Sequence, residues 1–129
     1  MVDHYDRAQR ECVGIPGDAN PLETLGVTAT RPIASFTGRP RLRRTRGARI
    51  FVRGREGLTA GDLLRRSTCR IERMALLLPE QRAAHDPLAV DGVHAEVRPT
   101  DDGFELWVTT PRTDAGAEVY RRARLMASD

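Results

Sequence analysis

Two segments in the second half of the chain alternate strictly between apolar and polar side chains. They cover residues 93–98 and 104–109, and residues 99–103, Pro-Thr-Asp-Asp-Gly, separate them. Alternation with a period of two is typical of strands with one buried face. Aspartate and glycine are favoured in the tight turns that join antiparallel strands. The pattern therefore predicts a β-hairpin over residues 93–109.

A longer segment, residues 58–78, repeats its apolar positions with the helical period. Thr59 is the N-cap of this helix, with an acid three residues later, and Pro79 ends the helix. We therefore predict a helix of about five turns. A strand that begins near Thr68 is the alternative, because residues 69–72 also alternate. The helical stripe consists of Ala60, Leu64, Ser67, Ile71, Met74 and Leu78.

Two more elements complete the pattern. Residues 49–53 alternate, which predicts a strand with Ile50 and Val52 on one face and Arg49, Phe51 and Arg53 on the other. A last helix is predicted after Thr113 as its N-cap, because acids lie near its start and arginines near its end, as the helix dipole favours. Its apolar side consists of Ala115, Val119, Ala123 and Met126.

The elements of residues 48–129 follow the order β-α-β-β-α. We predict a single α+β domain in this range, with a small antiparallel sheet and helices on one face. Residues 1–47 hold many glycines and prolines, so we predict a long irregular N-terminal arm rich in Arg, Gly and Pro. Within it, residues 20–23, Asn-Pro-Leu-Glu, predict one turn of helix. An extended segment near residues 27–36 would add a strand to the sheet.

Charge is distributed unevenly along the chain. All 21 basic residues are arginine, and twelve of them lie in residues 39–73, which hold only three acids. Arginine presents a planar fork that binds phosphate or carboxylate with two hydrogen bonds, so the cluster indicates an anionic partner. The basic tract of residues 38–47 is the sharpest case, since an extended chain can follow a phosphate backbone. An acidic protein groove, or water alone, is the alternative. The candidates for phosphate or partner binding are Arg39, Arg41, Arg43, Arg44, Arg46, Arg49 and Arg53.

Two aromatic residues are candidates for stacking. Phe51 and Trp107 each lie on the strand face that carries charged or polar neighbours. If their strands belong to one sheet with an open face, they would resemble the stacking platforms of proteins that bind single strands. The alternative is that Trp107 packs beneath a loop or beneath the arm.

The sequence contains no motif that assigns catalysis, a metal or a cofactor, and we expect none of them. The candidate soft ligands lack the short spacings of metal sites, and nucleophile motifs and phosphate-binding loops are absent. These ligands are His4, Cys12, Cys69, His85 and His94. Because the two cysteines lie far apart in unlike contexts, we expect no disulfide framework and a reducing compartment.

Residues 96–120 resemble the wing and the following helix of the MarR-type winged-helix repressors. The resemblance rests on the turn at residues 99–103 and on the capping residues of the helix that follows the second strand. It implies DNA binding through a helix-turn-helix upstream of the wing. Residues 58–78 begin suitably but lack the second helix and its turn, so no residue of this chain receives a role from the resemblance.

From these patterns we expect a non-enzymatic structural component of a larger assembly. It would be oligomeric and dock through its basic arm on protein subunits, on nucleic acid or on both. A bacteriophage virion part, such as a head-tail connector or a capsid-associated protein, is the concrete form that we favour. One alternative is an arginine-rich DNA- or RNA-binding regulator, winged-helix-like or with a sheet platform. The other is a small enzyme whose site the sequence does not reveal.

The expected location is the cytoplasm, or a virion. No apolar run approaches the roughly 20 residues of a membrane span, and the acidic N-terminus has no signal-peptide pattern. We therefore expect no membrane partner.

Overall fold

A computed structural model describes residues 3–15, 20–37, 42–112 and 114–127. Four helices and four strands form in these ranges. The helices are α1 (His4–Glu11), α2 (Pro21–Leu25), α3 (Ala60–Ala75) and α4 (Gly116–Met126), and the strands are β1 (Val27–Thr37), β2 (Leu42–Arg53), β3 (His94–Pro99) and β4 (Gly103–Thr109).

The four strands form one antiparallel sheet in the order β1-β2-β4-β3. Helix α3 and two short 3-10 turns, Pro79–Gln81 and Pro87–Ala89, connect β2 to β3. Because β2 and β3 are both antiparallel to β4, they run parallel to each other with β4 between them. This is a split β-α-β arrangement. The predicted α+β class, with a small antiparallel sheet and helices on one face, is confirmed.

The core lies between one face of the sheet and the helices. Alternate residues of β2 and β4 point into it, and Ile50, Leu106 and Val108 are fully buried. Leu63 of α3 and Val119 of α4 belong to the same apolar cluster. Burying each such side chain contributes about 1.5–3 kcal/mol. The hydrophobic effect therefore fixes which strand residues face the helices, and the intervening residues form the opposite face.

The hairpin predicted over residues 93–109 is confirmed as β3 and β4. Residues 60–75 are helical, so the alternative strand near Thr68 does not form. The buried side of α3 differs from the predicted stripe: Leu63, Ser67, Arg70 and Met74 are buried, whereas Leu64 and Leu78 are exposed. The difference arises because α3 packs on the sheet on one side and on α1 on another.

The prediction of an irregular arm over residues 1–47 is wrong for most of the described part of that range. The extended segment expected near residues 27–36 forms β1 and the turn of helix expected at residues 20–23 forms α2, whereas α1 and the start of β2 at residues 42–47 take the place of irregular chain. The backbone hydrogen bonds of β1 and β2 are satisfied by pairing with each other, which composition alone did not indicate. Pro32 fits because β1 is an edge strand, where a missing N–H need not break the ladder.

Part of this β1–β2 hairpin extends beyond the rest of the sheet. Strand β4 pairs only with residues 47–53 of β2, so residues 42–45 pair with β1 alone. We call residues 34–37 and 42–45 the ribbon. The start of α4 lies against it, since a Cβ on Gly116 would stand 1.9 Å from the carbonyl oxygen of Thr45. A glycine at this position lets the helix approach the strand closely.

A disulfide joins Cys12 to Cys69, so the expectation of unpaired cysteines is wrong. Helix α1 packs along α3, which brings the two Cα atoms to 4.9 Å despite a separation of 57 residues. The same two helices are also joined through His4, whose Nδ1 lies 2.5 Å from Glu72 Oε2. The spacing of the cysteines along the chain carried no information about this contact between two helices.

The helix-turn-helix implied by the winged-helix resemblance is not formed by residues 58–78, because α3 is one uninterrupted helix. The β3–β4 hairpin is part of the four-stranded sheet. None of the helices in the described ranges has both the length and the apolar character that crossing a bilayer requires.

Candidate functional site

The β1–β2 hairpin concentrates positive charge. Residues 27–53 contain eight arginines and no aspartate or glutamate. Arg31, Arg44, Arg46 and Arg53 are exposed and form no ion pair with the described residues. Of the other predicted site residues, Arg39 and Arg41 lie outside the described ranges, and Arg43 is described only in its backbone, opposite Phe36. The hairpin thus carries charge that the fold does not use.

The arginines of the helical layer differ because most of them have structural partners. Arg70 is buried and its Nε donates to Asp86 Oδ2 at 2.7 Å. Arg121 and Arg122 both bind Glu118, and together they lower the pKa of its carboxyl to about 2. The exceptions are Arg10, Arg65 and Arg124, which are exposed and form no ion pair within the described part of the chain; Arg124 lies over the Tyr120 ring instead.

The face of the sheet opposite the helices carries an ordered array of side chains. Arg49 of β2, Trp107 of β4 and Glu96 of β3 lie side by side across the three strands. In the next row, Phe51, Glu105 and Arg98 occupy the same strands in the same order. We call these six residues the open-face array. The described helices contact the other face of the sheet.

Edge strand β1 places a third arginine beside the two arginines of the array. Arg31 lies directly opposite Arg49 in the register of β1 and β2. Like charges in directly opposed positions destabilise a sheet unless something compensates them. Glu105 provides this compensation on one side only, because it binds Arg49 and not Arg31. An anion bound at Arg31 would compensate the remaining positive charge.

The ion pair between Arg49 and Glu105 is the electrostatic centre of the array. Arg49 Nε donates to Glu105 Oε1 at 2.6 Å, and the Glu105 side chain is only 11 % exposed. The hydrogen bond from Arg49 lowers the pKa of Glu105 below its ordinary value of 4.5, although burial acts in the opposite direction. The same bond raises the pKa of Arg49. Both groups therefore stay ionised and hold each other in place.

Two guanidinium groups lie over the aromatic rings. The Cζ of Arg49 is 5.2 Å from the ring centre of Trp107 and 5.5 Å from that of Phe51. The Cζ of Arg98 is 3.9 Å from the Trp107 ring. The buried Nε1 of Trp107 forms no close hydrogen bond with a described residue. Its N–H nevertheless adds to the effect of Arg49 in lowering the pKa of Glu105. Both rings are half-buried beneath charged groups that water can reach.

Sequence reasoning placed Phe51, Trp107, Arg49 and Arg53 on one face, and the structure has them there. It missed Glu105, Arg31 and the pairing of β1 with β2 that brings Arg31 to Arg49. The alternation of residues 104–109 held the signal for Glu105, because it puts Glu105 on the face of Trp107. Arg31 had no such signal, since its place depends on the pairing of β1 with β2.

A concave region lies beside the disulfide, apart from the open-face array. It has a volume of about 290 Å³ and is lined by α2, α3 and the segment after α1. Arg66 in its wall binds Asp62 at 3.0 Å, and Arg73 donates to the carbonyl oxygen of Ile15 at 2.8 Å. The Arg66 pair lies within α3, and Arg73 joins α3 to the segment after α1. No group of three or more potential metal ligands occurs among the described residues.

Comparisons with protein-family models, with curated proteins and with solved structures give no match. We therefore infer function from the charges and the geometry of this chain.

Proposed function

We propose that the protein is a non-enzymatic binding protein that docks on nucleic acid through the β1–β2 hairpin. One observation carries the proposal: eight arginines and no acid share a hairpin, and Arg31, Arg44, Arg46 and Arg53 form no ion pair with the described residues. A polyanion with regularly spaced charges compensates such a strip along its whole length. Neutralised phosphates release counterions, which drives binding at low and moderate salt.

Binding of labelled oligonucleotides at about 50 mM salt tests the proposal, since electrostatic binding is strong at that concentration. We expect both a duplex and a single strand to bind. The double variant Arg44→Gln/Arg46→Gln should weaken binding about tenfold, because two phosphate contacts are lost.

The chain offers a matched control for this variant. Arg10→Gln/Arg65→Gln removes the same charge from exposed helical arginines that also lack an ion pair among the described residues. It should leave affinity nearly unchanged. Equal losses in the two double variants would show that net charge, and not the hairpin, controls binding. No binding of either oligonucleotide at this salt would reject the proposal.

A second candidate is a structural component that docks on copies of itself or on acidic neighbours, as a virion part would. The charge distribution favours it: outside residues 27–53 the chain has thirteen arginines against eighteen acids. The basic hairpin of one copy is therefore complementary to the acidic body of the next. Sedimentation without nucleic acid tests this candidate. Assemblies that dissociate on addition of salt and are absent in the Arg44→Gln/Arg46→Gln variant would support it, and a monomer at all salt concentrations would reject it.

A further inference from the structure

The open-face array differs from the rest of the basic surface because it contains aromatic rings. Phe51 and Trp107 lie on β2 and β4, the two central strands, in neighbouring rows of the array. Arg49 extends over both rings. A hairpin that bound phosphates alone would need no half-buried rings on this face. The rings therefore indicate a partner that carries groups able to stack on them between its phosphates.

The two arginines over the rings are held very differently. Arg49 is fixed by its 2.6 Å hydrogen bond to the nearly buried Glu105. Arg98 has a side chain that is 55 % exposed, and its nearest carboxylate, that of Glu96, is 3.6 Å away and also exposed. Such an exposed pair contributes little. Arg98 can therefore leave the Trp107 ring, whereas Arg49 stays in place.

A nucleobase is the group best suited to take the place of Arg98. Stacking of a base on an aromatic ring contributes more than an exposed cation–π contact, so the exchange is favourable. The displaced guanidinium keeps its charge and is released next to the ligand, where a phosphate can bind it. Arg31 lies beside Arg49 on the neighbouring strand, and Arg53 lies four residues further along β2; both are exposed and available for neighbouring phosphates.

From this geometry we infer that the open-face array binds single-stranded nucleic acid. One base stacks on Trp107, the neighbouring base contacts Phe51, and Arg98 moves from the ring to a phosphate. A duplex does not satisfy this arrangement, because its bases are already paired and stacked. The inference rests on the proposed function and adds the form of nucleic acid and the residues that contact its bases.

Intrinsic fluorescence gives a direct test, because Trp107 is the single tryptophan of the chain. The protein is titrated with unlabelled oligo(dT) and oligo(U) of about 12 nucleotides, a length within the range of known single-strand sites. A duplex of the same length is the reference. We expect saturable quenching of Trp107 by a single strand, and a much weaker change with the duplex. The two single strands distinguish DNA from RNA as the preferred form.

Two variants separate stacking from charge. Phe51→Leu should weaken single-strand binding about tenfold and leave duplex binding unchanged, because the lost contact is with a base. Tyr5→Leu is the matched control, since Tyr5 is an exposed aromatic residue on α1, which packs along α3 and carries no residue of the open-face array. Arg98→Gln leaves the fold intact because Arg98 is exposed, and it should lower the salt slope of single-strand binding by about 0.7.

The outcomes are distinguishable. Quenching by single strands together with a selective loss in Phe51→Leu supports the inference. If single strand and duplex both bind but the emission of Trp107 does not change, or Phe51→Leu has no effect, the inference is wrong and the proposed function stands. Equal quenching by the duplex also overturns it. If neither form binds, the inference and the proposed function fail together.

Discussion

At the scale of single residues, Glu105 compensates the arginines that surround it. Arg49 binds it directly, and Arg98 lies opposite it across β3 and β4. We predict that Glu105→Gln lowers the free energy of unfolding by about 1 kcal/mol, because the Arg49 side chain is 35 % exposed and water screens the ion pair. The same change should raise the affinity for nucleic acid, since it removes a negative charge from the binding face. Urea unfolding and oligonucleotide titration measure the two effects.

The pH dependence of this effect follows from the lowered pKa of Glu105. A carboxyl whose pKa is lowered by folding stabilises the protein above its unfolded pKa. This contribution is lost as the pH falls through the folded pKa. The stability difference between wild type and Glu105→Gln should therefore be present at pH 7 and shrink in acid. The exposed acid Glu96 provides the control, as Glu96→Gln should change stability by less than about 0.5 kcal/mol. Glu105→Gln must lower stability and raise affinity for nucleic acid. A loss of both would contradict the role assigned to Glu105.

Single residues were predictable from the sequence only where a strand pattern placed them. Phe51 and Trp107 followed from alternation, and both lie on the expected face. Arg70 did not follow: a long charged residue outside an apolar stripe suggests solvent exposure, yet it is buried against Asp86. Its partner, Asp86, lies in the connection after α3. A local sequence pattern does not predict a buried ion pair between two such segments.

At the scale of elements, the disulfide fixes α1 to α3. It closes a loop between residues 57 positions apart. Constraining a loop of this length in the unfolded chain contributes about 4 kcal/mol. We predict that Cys12→Ser/Cys69→Ser lowers the free energy of unfolding by about this amount. Wild type in excess reductant should match the variant, as measured by urea unfolding. A midpoint that reductant does not change would show that the disulfide does not form in solution.

Elements with a strong local signal were predicted well. The β3–β4 hairpin and the turn of helix capped by Asn20 formed as expected, because alternation and capping are properties of adjacent residues. The β1–β2 hairpin was predicted only in part. Its pairing depends on residues up to 25 positions apart, such as Val27 and Val52, and its arginines and Pro32 obscure the alternation. Composition indicated an irregular arm at residues 42–47, whereas these residues pair with β1 as part of β2.

At the scale of the whole molecule, fold class was predictable and function was not. The order of strong elements suffices for an α+β sheet with helices on one face. The candidate site depends on register, which places Arg31, Arg49 and Trp107 in one row across three strands. We propose that the arginines of this molecule have two roles. Those of the helices mostly hold the fold together, and those of the β1–β2 hairpin bind a polyanion.

The salt dependence of oligonucleotide binding tests this claim most directly. Each phosphate contact adds about 0.7–0.9 to the slope of log K against log salt. The account predicts that Arg44→Gln/Arg46→Gln reduces the magnitude of this slope by about 1.5 relative to wild type. Arg10→Gln/Arg65→Gln should keep the wild-type slope. Slopes that are the same in all three proteins, or reduced equally in both variants, would contradict it.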